Sequence, residues 1–176
     1  MRDDTHGAQS EAWLDREEMI CREGRLDRLD WVAGLMPVSE HLTFPGGWMA
    51  KHLFEEARYC FVYGQFLATI VLGMAYVERT LAALLYGAGR SDMERANVSV
   101  LLRQAVENQW LSQDEFNHLD HARTLRNAVT HFRRPLHEDT VEYRSVTLNE
   151  LPYAILEEDA RHVMATAFRV LAHQTI

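Results

Sequence analysis

Lysine is almost missing from this chain: Lys51 is the single one among 18 basic residues, so the other 17 are arginines. Arginine is the side chain suited to planar, bidentate contact with phosphate or carboxylate. A GC-rich coding bias gives the same composition, so the scarcity of lysine indicates a chemistry without placing a site. Cysteine is nearly as scarce. Cys21 and Cys60 form neither a metal-binding pair nor a disulfide framework, and a reducing, cytoplasmic location is the simplest expectation. There is no Walker loop, no Rossmann glycine pattern and no G-x-S-x-G, which leaves no recognised nucleotide-cofactor or serine-hydrolase motif. No cofactor is expected. The opening "MRDDTHGAQSEAWLDREE" is too acidic for a signal peptide. The most apolar run, Phe61 to Val77, is slightly short for a membrane span and carries Gly64, Gln65 and Gly73, so it reads as a buried helix and no membrane partner is expected. A net charge of −8 argues against non-specific wrapping of nucleic acid by the whole surface, since phosphate binding needs clustered cations. A local basic site stays compatible with it.

What is present is a 176-residue chain, 47% hydrophobic and 25% charged, enough for one compact domain with its own core. Gln9 to Arg28 is charge-rich and predicted helical, with Trp13 and Leu14 as candidate contacts to the body. "GLMPVSEHLTFPGG", Gly34 to Gly47, carries the breakers of a connector. Residues 1–47 are therefore read as a helical appendage with its connector, and 48–176 as a helical bundle. Core helices are predicted over Trp48 to Tyr63, over Gln65 to Tyr86 with Leu67, Val71, Met74, Val77, Leu81 and Leu84 inward, and over Val98 to Glu107. Gly64 marks a bend or break. Ser91 with Glu94, and Ser112 with Glu115, have capping-box spacing. A fourth helix is predicted from Gln113 to Phe132, with Phe116, Leu119, Ala122, Leu125, Val129 and Phe132 as its apolar stripe, stopped before Pro135. "HEDTVEYRSVTLNELPY" reads as an extended loop or short hairpin. Glu157 to His173 closes the chain as a helix with Val163, Ala167, Val170 and Leu171 inward. The fold class is all-α, about five core helices plus the appendage.

The stretch "LRNAVTHFRRP" concentrates polar chemistry at the end of the fourth helix. One R-x4-H pair is present, and about 0.9 is expected by chance, so the spacing alone is uninformative; requiring Asn after the Arg lowers the expectation to about 0.03. At about 100° per residue, Asn127 and His131 face together, opposite the apolar stripe, and Arg126 lies about 140° from His131 on the flank. A histidine can move a proton near neutral pH, and an arginine can hold a phosphate and stabilise the added charge of its transition state. RNA supplies its own nucleophile in the 2′-OH, so this trio suits phosphodiester cleavage without a metal. Arg123, Arg133 and Arg134 add local positive charge as candidate RNA contacts. A solvated helix end whose cations offset the macrodipole is the plainer reading of the same residues.

Arg126, Asn127 and His131 match the R-x(4 to 6)-H signature, often beginning Arg-Asn, of the HEPN superfamily, which this chain resembles. Phe54 to Leu85 is similar to the paired early helices of those domains, and the resemblance covers about Trp48 to Ile176. It implies a HEPN-like bundle acting as a homodimer, with two motif helices building one composite cleft. It further implies a metal-independent endoribonuclease of toxin–antitoxin or antiviral-defence type, with RNA as substrate and an antitoxin or other regulatory protein as partner. His131 would be the general acid/base, Arg126 the phosphate contact and Asn127 the orienting residue. Glu78 is a candidate ion-pair partner for Arg126; pairing with Arg79 or another surface group is the alternative. Some HEPN toxins carry a tyrosine two residues after the histidine, where a partner nucleotidyltransferase modifies them; Arg133 stands there in this chain.

The resemblance also implies a second function, because many HEPN domains keep the fold as non-catalytic modules that dimerise and bind a partner protein, nucleotide or RNA. A third reading, a carboxylate-bridged metal enzyme, rests on the E-x-x-H spacing of Glu115 and His118 with His121 one turn on; it needs a second such motif, and the chain has none. No metal site is expected. Trp13, Trp31, Trp48 and Trp110 read as packing anchors. The acidic residues Asp3, Asp4, Glu11, Asp15, Glu17 and Glu18 read as soluble surface or as an electrostatic lid over the basic cleft.

Overall fold

The apolar periodicities fold into helices, and nothing else regular forms among the described residues, which in this computed structural model are 4–36 and 42–173. Asp3, residues 37–41 of the connector and the last three residues lie outside that description. The elements are α1 (Asp4–Leu35), α2 (Gly47–Val62), α3 (Phe66–Gly87), a 3₁₀ turn (Ser91–Met93), α4 (Val98–Glu107), α5 (Gln113–Thr130), α6 (Val141–Leu148) and α7 (Pro152–Ala172).

Helix α3 is the axis of the bundle. It is the one described helix long and apolar enough to cross a membrane, and it packs against α2, α4, α5 and α7. Its wide buried face includes Ile70, Met74, Tyr76, Val77, Leu81 and Leu85, the aliphatic ones and Met74 each worth roughly 1.5–3 kcal/mol when taken from water. That face is rotated from the expected stripe, since Leu67 is exposed while Val71 and Leu84 are only half-buried. The turn from α2 into α3 needs Gly64, whose φ of +75° is a left-handed conformation; a Cβ there would also stand 2.7 Å from the Tyr153 hydroxyl.

Only the C-terminal half of α1 is built into the body. Val32 joins the core, and buried Arg28 donates from Nε to the Val62 carbonyl at 3.0 Å, satisfying a carbonyl at the end of α2. Arg28 also lies 3.6 Å from Glu157, and the Arg161 guanidinium sits over Trp31 at 5.1 Å. The N-terminal half leaves Trp13 63% exposed, with Leu14 and Ile20 also exposed. Trp13 and Leu14 are thus not contacts to the body. Of the four tryptophans, Trp31 packs on the core, Trp110 is 37% exposed beside Leu81, Leu84 and Leu111, and Trp13 and Trp48 are mostly exposed, Trp48 stacking on His52 and under Lys51 of its own helix.

Three local expectations are corrected. The stretch after Pro135 forms no hairpin: Thr140 caps α6 by accepting from the Tyr143 N–H at 3.3 Å, and Asn149, at φ 54°, ends it in the left-handed conformation. Helix α7 then starts at Pro152, five residues before the expected Glu157, with proline in the first turn where its missing N–H is harmless. Ser91 does not open α4; Asn97 does, its side chain accepting from the Val100 N–H at 3.1 Å.

Candidate functional site

Helix α5 carries the Arg-Asn-x-x-x-His motif and is fixed at both ends. At its start Ser112 and Glu115 close a capping box, the Ser112 N–H donating to Glu115 Oε2 at 2.7 Å. The Ser112 hydroxyl and backbone hold the Glu115 carboxyl below the usual carboxylate range. Leu119, Ala122 and Leu125 seat the helix on the core. It ends at Thr130, two residues early, because His131 turns extended, with φ −117° and ψ 133°. The Thr130 hydroxyl already bonds back to the Arg126 carbonyl at 2.9 Å, and Pro135 keeps the following chain out of the helical region. As a result Phe132, expected on the apolar stripe, is 90% exposed.

The motif residues divide between two sides of α5. Arg126 reaches α3, where its Nη2 lies 3.4 Å from Glu78 Oε2, with side chains 23% and 40% exposed. That contact engages one corner of the guanidinium and leaves its other N–H donors uncommitted to Glu78. Asn127 is half-buried, and its carbonyl accepts the His131 N–H at 3.0 Å. The exposed His131 lines a cleft of about 570 Å³ between α5, α6 and the early turns of α3 and α7; Arg126 and Asn127 are not among its walls. The acidic half of α1 contributes no described wall residue either.

The neighbouring arginines are mostly neutralised. Arg123 donates from Nε to Asp120 at 2.7 Å, and Arg133 Nε lies 3.7 Å from Asp139 Oδ2. Arg134 is exposed and makes no ion pair among the described residues.

Sequence reading missed the far wall. Arg144 of α6 grips the buried Asp159 of α7 with two hydrogen bonds of 2.7 and 2.8 Å, and this carboxylate raises the Arg144 pKa further. Glu142 stands beside them on the cleft. The available signal was the pair of caps, Thr140 before and Asn149 after an eight-residue run, which outweighs its β-branched residues.

A second polar cluster joins α5 to α7. The His162 ring lies 4.6 Å from that of His121 and 5.7 Å from that of His118, and its Nε2–H donates to the His118 carbonyl at 3.0 Å. Burial lowers the His162 pKa. Glu115 pairs instead with His173 at 2.6 Å. No three His, Cys, Asp or Glu side chains converge on a metal position among the described residues.

Compared with protein-family models, with curated proteins and with solved structures, the chain matches none. The fold and the site therefore carry the functional argument alone.

Proposed function

We propose that this chain is a HEPN-like, metal-independent endoribonuclease that acts as a cytoplasmic homodimer on RNA. The observation that carries the reading is the Arg126-Asn127-x-x-x-His131 motif at the end of a bundle helix, with His131 exposed on a cleft and Arg126 steadied by Glu78. In the proposed reaction an imidazole takes the proton of a ribose 2′-OH, and the 2′-oxygen attacks the adjacent phosphorus. The P–O5′ bond breaks and the 5′-oxygen receives a proton, leaving a 2′,3′-cyclic phosphate and a 5′-hydroxyl. Arg126 holds the phosphate with donors that Glu78 does not engage, and Asn127 sets the helix end from which His131 projects. Since Arg126 is not among the walls of the cleft that His131 lines, a second copy is the natural source of the complementary half-site.

The pairing of Arg123 with Asp120 and of Arg133 with Asp139 favours a second reading, a non-catalytic binding module, because it leaves little free positive charge for RNA. Incubating a mixed RNA pool in EDTA with wild type, Arg126→Ala and His131→Ala separates the two. Wild-type-only cleavage, with all three proteins melting within a few degrees of one another, is the expected result. Absence of cleavage by all three selects the binding module.

A further inference from the structure

The cleft beside His131 has a charge pattern that suits a base rather than a phosphate. Its charged walls are Arg133, Asp139, Glu142, Arg144 and Asp159. Arg144 and Asp159 cancel in their two short hydrogen bonds, and Arg133 and Asp139 offset each other at 3.7 Å. That leaves the exposed Glu142 carboxylate, which has no ion-pair partner among the described residues, as the uncompensated charge. A phosphate is repelled there; a neutral group that donates hydrogen bonds is not. The rest of the wall is largely apolar, with Leu67, Val129 and Leu136. Phe132 has the most exposed large apolar side chain among the described residues. The volume of about 570 Å³ lies in the range of small-ligand sites.

We infer that this cleft takes up an unstacked guanine base of the RNA, stacked on Phe132 and read by the Glu142 carboxylate. Unstacked bases are recognised on aromatic faces and at their Watson–Crick edges. Guanine is the one standard base whose edge offers two adjacent donors, N1–H and the 2-amino group, to the two oxygens of a carboxylate. Adenine and cytosine place a ring acceptor beside their amino group, and uracil flanks its single N–H with carbonyls. With guanine in the cleft, its ribose and 3′-phosphate lie outside, beside His131 and Arg134, so cleavage follows guanosine. The inference rests on the ribonuclease reading for its substrate and adds the residues that select it.

The test is equilibrium binding of guanosine 3′-monophosphate to the full chain, with the adenosine, cytidine and uridine 3′-monophosphates as comparators. Guanosine 3′-monophosphate is expected to bind about tenfold tighter than the others, and Glu142→Gln to erase that preference. Phe132→Ala is expected to weaken all four by about tenfold; the side chain is so exposed that its loss leaves the melting temperature unchanged. Equal binding of the four, binding of none, or a preference that survives Glu142→Gln overturns the inference. RNA cleavage without base preference would overturn the guanine site and leave the ribonuclease reading standing. Guanine-selective binding by a chain that cuts no RNA would do the reverse.

Discussion

Gly73 marks a close approach of α3 to α7: a Cβ built there would stand 2.7 Å from Val163 Cγ1. Alanine is favoured over glycine in a helix by about 1 kcal/mol, so Gly73→Ala separates packing from propensity. Overpacking costs about 1–3 kcal/mol, and a net loss of stability in urea unfolding is expected, partly recovered by Val163→Ala. His162 offers a second residue-scale prediction. It is flanked by His118, His121 and Arg169, and burial is the main cause of a folded pKa below its ordinary value of 6.5. The unfolded chain therefore takes up this proton first as pH falls below about 6.5, and stability is lost from there down to the lower folded value. Thermal melts between pH 7.5 and pH 5 should show a smaller decline for His162→Gln than for wild type. Among candidate site residues, Arg126, Asn127 and His131 were named from the Arg-Asn-x-x-x-His pattern, but the direction of His131 was not legible. Helical angles assume a helix through Phe132, and two extended torsions at His131 cancel that assumption.

At the scale of elements, long segments with a strong apolar period were legible, and α2 to α5 fall within two residues of their expected bounds. Helix α6 was not, because eight residues give barely two turns of periodicity and its valines and threonines favour strands. It is held from outside by Arg144 on Asp159. Asp159 is buried and Arg144 half-buried, so removing the arginine leaves a largely desolvated carboxylate unpaired, at a cost of about 1–3 kcal/mol. Arg144→Met should lower the denaturant midpoint strongly, and Arg144→Met with Asp159→Leu should restore most of it. Loss of α6 also removes Glu142 from the cleft, so the single variant should lose guanine selectivity with its stability.

At the scale of the molecule, α1 divides where its burial changes. Truncation of residues 1–21 removes the exposed half and should shift the melting temperature by no more than a few degrees. Truncation of residues 1–34 also removes Arg28, Trp31 and Val32, and should lower it sharply; a circular-dichroism melt of both forms decides. The sequence border at Gly47 coincides with the start of α2, yet composition did not reveal that charged Arg28 works inside the body, since a buried arginine is recognisable only by its partners Val62 and Glu157. The placement of α7 against α3 has a consequence for how the chain is made. Sixty-odd residues separate the end of α3 from the start of α7, and at about 5–20 residues per second the ribosome needs several seconds to supply them. Until then the flank of α3 that α7 covers stays open to chaperones, while α2 and, as they emerge, α4 and α5 cover its other sides, so the nascent chain is most vulnerable to aggregation after its second core helix has emerged and before its last.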